Sequence, residues 1–228
     1  MKTIAFIFAR GGSKGIKNKN IKLFLGKPLI FYTIKLAKKN RHIDDVYVST
    51  DCSKIKKISI RYGAKVIDRP KYLAKDNSPE ILSWKHAINF LKKKNINFNI
   101  FLSLPCTSPL RSNIDVNNII ISLRKKIDIV VGITRAKKNP YFNILKLNKK
   151  NILKKLFEKK IFFRRQDAPK VIDLTTVGYA ANKNFIINCK SIFDGKVKGV
   201  LIPEERSIDI DNLFDFKIAE LIKKNFYE

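Results

Sequence analysis

The hydrophobic pattern opens with Ile4 to Ala9, a short continuous apolar run stopped by paired glycines, and this is how a strand buried on both faces reads. It predicts a central strand. Pro28 then begins a segment with Ile30, Ile34 and Ala37 at helical spacing, which predicts a helix to about Lys39. Val46 to Thr50 reads as the next strand, Ser53 as the cap of a helix that carries Ile55 and Ile58 and stops at Gly63, and Val66 and Ile67 as renewed extension. Ser78-Pro79-Glu80 supplies a cap, a first-turn proline and a first-turn acid, and Ile81, Trp84, Ile88 and Leu91 behind it share one face of a helix to about Lys94. Two further apolar strands, Asn99 to Leu104 and Ile127 to Thr134, flank a helix bearing Ile119, Ile120 and Leu123. Strand and helix alternate, which predicts an α/β fold with a mostly parallel sheet.

The rhythm changes after Arg135. Tyr141 to Leu147 and the polar tract Asn148 to Asn151 read as a hairpin, so about Ala136 to Val177 is expected to be an inserted antiparallel excursion. Val200 to Pro203 returns to strand, and Phe214, Ile218, Leu221 and Ile222 are expected to form the apolar face of a closing helix. With 228 residues, 45% of them hydrophobic, and no internal repeat, residues 1–228 are expected to form one domain.

Charge adds a question to this picture. Forty-eight Lys and Arg against nineteen Asp and Glu give a formal net charge of +29, which first suggests a polyanion such as nucleic acid. The excess is spread along the chain in runs such as Lys92 to Lys94, and no aromatic-interleaved basic strand or recognition module accompanies it. A solvated lysine-rich surface that attracts small anionic substrates is therefore favoured over a nucleic-acid-binding protein. Cys52, Cys106 and Cys189 are odd in number and have no C-x-x-C spacing, so neither a disulfide framework nor a zinc site is indicated and a cytoplasmic location is expected. The first apolar run is too short for a signal peptide, and no stretch approaches the roughly 18 apolar residues of a membrane span, so no membrane partner is expected.

The segment from Arg10 to Asn20 carries the strongest chemical signal. It follows the first strand, where open α/β sheets bind ligands. Gly11 and Gly12 let backbone amides approach a phosphate, Ser13 offers a hydroxyl, and Arg10, Lys14 and Lys19 can neutralise several phosphate charges. No Gly-Lys-Ser/Thr ends the loop, so it is not a Walker A motif. Near the other end, Asp209 and Asp211 stand two residues apart, which in extended backbone puts both carboxylates on one side. That pair suits Mg2+, which takes one or two carboxylates and completes its shell with water and phosphate; Asp211 alternatively reads as the cap of the last helix. The turns at Arg69 and at Thr107-Ser108-Pro109-Leu110-Arg111 also follow strands and can supply hydroxyls or a guanidinium, or pair structurally. Arg164-Arg165-Gln166-Asp167 offers bidentate donors suited to a sugar carboxylate, or a solvated charge run. His42 and His86 have no ligand cluster or nucleophile beside them in the sequence.

Taken in order, Ala9 to Ile16 with Lys19-Asn20, then Gly26-Lys27-Pro28-Leu29-Ile30, Val48-Ser49-Thr50-Asp51, Arg69-Pro70, Thr107 to Arg111, Arg164 to Asp167 and Asp209-Ile210-Asp211, resemble the acylneuraminate cytidylyltransferases over almost the whole chain. The resemblance implies a Rossmann-like nucleotidyltransferase core and a homodimer whose excursion reaches the partner subunit. It implies that CMP passes from CTP to the anomeric hydroxyl of a nonulosonic acid, a nine-carbon acidic sugar, with release of pyrophosphate. Arg10, Gly11, Gly12, Ser13, Lys14, Lys19 and Asn20 would hold the phosphates and ribose, and Arg69 and Ser78 would lie near the base. Asp209 and Asp211 would hold magnesium, and Arg10, Lys19 and Asp209 would be catalytic, with the base either Asp209 or a metal-bound water. Thr107, Ser108, Arg111, Arg164, Arg165, Gln166 and Tyr179 would face the sugar. The chain departs from the family where Pro105 stands in place of a glutamine, and again in Asp173 to Tyr179; both departures are like those of relatives that activate legionaminic and similar acids. Enzymes that activate the eight-carbon acid Kdo resemble it less, their loop having Ser-x-Arg where Ser13-Lys14-Gly15 stands.

Overall fold

In the computed structural model, which describes residues 1–157 and 162–226, the chain alternates strand and helix as far as its seventh strand. Strand β1 (Thr3–Phe8) leads through the glycine loop to a small hairpin, β2 (Leu23–Phe24) and β3 (Lys27–Pro28), and into helix α1 (Leu29–Lys39). There follow β4 (Asp45–Thr50), α2 (Ser53–Arg61), β5 (Lys65–Asp68), α3 (Glu80–Lys93), β6 (Ile100–Ser103), α4 (Asn113–Ser122) and β7 (Ile129–Arg135). A projecting hairpin, β8 (Leu145–Leu147) and β9 (Leu153–Lys155), precedes β10 (Ile172–Asn182), α5 (Lys183–Asn188), β11 (Val197–Leu201) and α6 (Leu213–Phe226).

Seven strands form one sheet in the order β11-β7-β10-β6-β1-β4-β5, parallel throughout except for β10. The two-residue period of β1 explains how it is covered: Ile4 and Phe6 enter a cluster with Trp84, Ile88 and Phe101, while Ala5 and Ile7 enter one with Ile34, Val48 and Leu102. A third cluster, including Ile16, Leu29, Leu110, Ile210 and Phe216, lies beneath the loops. From β1 the chain moves outward to β4 and β5, then crosses back to β6 on the other side of β1. At such a switch point the loops leaving the carboxyl ends of adjacent strands diverge and open a crevice.

Three expectations need correction. The excursion was expected to run to Val177, yet Ile172 already pairs with Arg135, so the segment that leaves the sheet is shorter. Strand β10 escapes pattern reading because its residues are exposed from Ile172 to Leu174 and buried from Val177 to Ala181, with a register shift between. In α6 the buried side chains are Phe216 and Ala219, whereas Phe214 and Leu221 are exposed, because the helix packs through the face that meets Phe24 and the third cluster. Finally, neither Ser53 nor Ser78 caps its helix: the cap positions fall at Cys52 and Pro79.

Candidate active site

Loops from the carboxyl ends of β1, β5 and β6 surround a cavity of about 450 Å³ at the switch point, and the segment before α6 closes one side of it. Arg10, Ser13, Lys14, Lys19, Asn20, Arg69, Ser78, Thr107 and Asp211 of the anticipated residues line this cavity, and Phe8, Asp76, Glu80 and Ser83 line it as well.

The glycine loop is held from both ends. Gly11 N donates to Asp51 Oδ1 at 3.0 Å, and the buried Asn20 donates through Nδ2 to Arg10 O at 3.0 Å. Ile16 anchors the middle of the loop in the third cluster beside Ile210. Gly12 is exposed, and a Cβ there would meet nothing within 4 Å. Gly15 is different: its ideal Cβ would lie 2.3 Å from Asp211 O, so only a residue without a side chain lets the loop touch the acidic segment. Lys19 crosses the same gap, its Nζ donating to Ile210 O at 2.6 Å and standing 3.5 Å from Asp211 Oδ1. The residues furthest apart in the sequence pattern are thus adjacent.

The acidic segment is itself fixed. Ile210 N donates to Thr107 O at 2.9 Å, and Arg206 grips the buried Asp115 with two nitrogens at 2.8 and 3.0 Å. The helix-cap alternative for Asp211 does not hold. Asn212 Oδ1 accepts from Phe214 N and Asp215 N, and Asp215 Oδ2 accepts in return from Asp211 N and Asn212 N. The Asp211 carboxylate is left 76% exposed at the cavity. Burial pushes the Asp209 carboxyl up, the Thr107 hydroxyl opposes this, and Asp211 adds to the rise. Asp209 Oδ1 is buried without a hydrogen-bond partner among the described residues. The two carboxylates interact through their charges but open on different cavities, so it is the exposed Asp211 that suits a magnesium ion at this one, with water and substrate oxygens completing the shell. Among the described residues no group of three or more His, Cys, Asp or Glu forms a denser metal centre.

Two further cavity cations, Arg10 and Lys14, are paired with one carboxylate. Asp76 stands 2.6 Å from Arg10 Nη1 and 2.6 Å from Lys14 Nζ, and these partners, Lys14 first, lower its carboxyl. Deeper in, the buried Arg69 donates to Ser49 O at 2.7 Å and to Ser49 Oγ at 3.2 Å, and its guanidinium lies 5.5 Å from the Phe8 ring centre. Burial lowers this guanidinium to about 10.

The residues anticipated for the sugar are divided. Thr107 reaches the cavity; Ser108 is fully buried and shares a 2.7 Å hydrogen bond with Thr176. Arg111 is buried and donates back to Ser108 O and Pro105 O, closing its own loop. Tyr179 is buried against Trp84 in the sheet core. Arg164, Arg165 and Gln166 are exposed on the excursion, Arg164 pairing with Asp167 and Arg165 donating to Ala136 O and Lys137 O, and none lines this cavity. Asp209 instead opens on a second cavity of about 880 Å³ with Arg135, Lys137 and Thr175. Glu80, Asp76 and Arg206 were missed as site residues. Glu80 and Trp84 stand at i and i+4, a legible spacing, but 91 positions separate Arg206 from Asp115.

The signature of the cytidylyltransferases matches residues 4–196, most of the chain. The chain belongs to the cytidylyltransferase family. This cytidylyltransferase is 32% identical over 225 residues to the post-translational flagellin modification protein B of Campylobacter coli, covering 96% of this chain and 93% of that one. It is 30% identical to the CMP-N,N'-diacetyllegionaminic acid synthase of Campylobacter jejuni, covering 95% and 92%. It is 32% identical to an N-acylneuraminate cytidylyltransferase of Escherichia coli, covering 98% of this chain but only 53% of that longer protein. Its fold is that of CMP:2-keto-3-deoxy-manno-octonic acid synthetase complexed with CTP, with a TM-score of 0.72 at 14% identity over 98% of this chain and 99% of that one. No helix among the described residues is long and apolar enough to cross a membrane.

Proposed function

We propose that this cytidylyltransferase joins CMP from CTP to the anomeric hydroxyl of a nonulosonic acid, legionaminic acid or a related sugar, and releases pyrophosphate. The observation that carries the reading is the single crevice in which the glycine loop, through Lys19 and Gly15, touches Asp211. Relatives that act on legionaminic and acylneuraminic acids, at 30% and 32% identity, support the acceptor class.

Arg10, Ser13, Lys14, Lys19 and Asn20 bind the triphosphate, Gly11 and Gly12 keep the backbone close to it, and Arg69 and Ser78 face the base. Asp211, with Asp209 behind it, would hold magnesium, which when bound would supply positive charge at the reacting phosphate. Binding of the triphosphate draws Arg10 and Lys14 away from Asp76, since phosphate oxygens take the same donors. Lys19 then sets the attacked phosphate in line, and Asp209 with Thr107 orients the sugar hydroxyl from the second cavity. Lys137 of that cavity is paired with Glu204, which leaves Arg135 and Lys138 to suit the sugar carboxylate.

A homodimer completes the reading: Leu147, Leu153 and Phe163 of the excursion are 64%, 58% and 86% exposed, an apolar surface suited to a second copy. On that arrangement Arg164, Arg165 and Gln166 serve the partner's acceptor site. The enzyme acts in the cytoplasm, where CTP is made. The test is pyrophosphate release with each of the four nucleoside triphosphates against sialic, legionaminic, pseudaminic and Kdo acids, with and without magnesium. Release confined to CTP, a nine-carbon acid and magnesium is expected; silence with every sugar would sink the proposal.

A further inference from the structure

Glu80 has no part in phosphate or metal binding, yet it is built into the nucleotide cavity with unusual care. It occupies the first turn of α3, and its Oε1 accepts from Trp84 Nε1 at 3.1 Å, one helical turn on. Trp84 is itself immobilised, 3% exposed and in ring contact with Phe101 and Tyr179 at 5.1 and 5.7 Å between centroids. The carboxylate is therefore preorganised. Solvent reaches it through the mouth of the cavity while protein surrounds it on the other sides. Its charge interaction is with Arg69, whose guanidinium is fixed on Ser49 over Phe8. No protein group among the described residues hydrogen-bonds Oε2.

A carboxylate can only accept hydrogen bonds and a guanidinium can only donate them. Both line the same cavity and interact through their charges, so together they complement a flat ligand edge that presents a donor next to acceptors. Cytosine has that edge, with an exocyclic amine followed by the ring N3 and O2 acceptors; uracil puts a carbonyl where the amine stands and an N–H at N3. Carboxylate to cytosine amine is the pairing that base geometry favours elsewhere in nucleic-acid recognition. We propose that Glu80 accepts from the exocyclic amine of the bound base and is the residue by which this chain selects CTP over UTP. The inference rests on the reading of this cavity as the nucleotide site, and it goes beyond that reading by naming the group that decides which base enters.

Trp84 is the chain's single tryptophan, so the hydrogen bond to Glu80 also provides a reporter. The experiment titrates CTP and UTP, with magnesium, into wild type, Glu80→Ala and Glu80→Gln. Tryptophan fluorescence and calorimetry read affinity, and pyrophosphate release with the accepted sugar reads kcat/KM. Wild type is expected to prefer CTP. Glu80→Ala should weaken CTP binding about tenfold or more while leaving UTP nearly unchanged, the scale of one lost charged hydrogen bond. Glu80→Gln retains an acceptor for Trp84 and can turn its amide toward a carbonyl, so it should narrow the preference by raising UTP affinity; it also carries the test if the alanine variant folds poorly. An unchanged CTP/UTP ratio in the variants, with wild type still turning CTP over, would overturn the role of Glu80 and leave the proposed function intact. Wild type that neither binds nor turns over CTP would overturn both.

Discussion

Replacing Gly15 by alanine tests the physical basis of the site more sharply than removing any charged group. The new Cβ would stand 2.3 Å from Asp211 O, where ordinary contact begins at 3.4 Å, so loop and acidic segment must separate by about 1 Å. Neither side can yield freely. Ile16, adjacent to Gly15, and Ile210, adjacent to Asp211, are 4% and 0% exposed in the same apolar cluster, and Ile210 N is also tied to Thr107 O. The overlap is between a Cβ and a backbone oxygen, so no flexible side chain can swing aside. Two consequences separate cleanly. Stability should fall by the usual cost of overpacking, about 1–3 kcal/mol, which leaves a folded protein with a lowered melting temperature. Turnover should fall far more, about a hundredfold, because on the proposed mechanism a misplacement on the order of 1 Å between the glycine loop and Asp211 spoils in-line geometry. The assay is pyrophosphate release at saturating CTP and sugar, paired with a thermal melt of the same sample. Wild-type turnover in a variant with a lowered melting temperature would refute the argument, since the strain would then be present without touching the chemistry.

Removing the charge contacts directly should be at least as costly. Lys19→Ala and Asp211→Ala should each lower kcat at least about a hundredfold, the scale of one preorganised charge contact, as read in the same assay; wild-type-like release would remove these residues from the mechanism. Glu80 also carries a stability signature. Burial, against the Trp84 hydrogen bond and Arg69, raises its carboxyl above the ordinary 4.5, so its contribution is fully present below that value and is lost as pH rises through the folded-state pKa. Glu80→Gln should accordingly melt higher than wild type at pH 7, with the difference vanishing below about pH 4; a difference that is constant with pH would contradict this. Cys106 and Cys189 are 2% and 5% exposed, and burial pushes the Cys106 thiol up to about 12, whereas Cys52 is partly open. Iodoacetamide should therefore modify one thiol in the native protein and three in denaturant, counted by mass; rapid native modification of Cys106 would show that its loop opens.

Much of this architecture could be read from the chain because local signals agreed with the global fold. Apolar runs such as Ile4 to Ala9 sit where parallel strands bury both faces, and the helical spacing of Trp84, Ile88 and Leu91 matches the side chains that α3 buries. Strand β10 was illegible because one half is covered and the other half is not, so neither alternation nor a continuous apolar run marks it. The closing helix misled because exposed Phe214 and Leu221 outweigh the small buried Ala219 in any pattern of apolar residues. Although Asp209 of the expected pair opens on the neighbouring cavity, Gly15, Lys14, Lys19 and Asp211 of the residues that line the crevice stood out by type and spacing. The contacts that fix them did not, because Gly15 meets Asp211 and Arg206 meets Asp115 only through the tertiary fold.

Strand β10 also couples two regions that look separate. Its first residues pair with Arg135 and Thr134 at the foot of the excursion, and Thr176 lies against Thr107 and Ser108 before the strand continues as a core element between β6 and β7. One strand therefore runs from the foot of the excursion, past this cluster of hydroxyls, into the core of the sheet. A displacement at the foot of the excursion would be passed along this strand to Thr176, which with Thr107 hydrogen-bonds the Asp209 carboxylate.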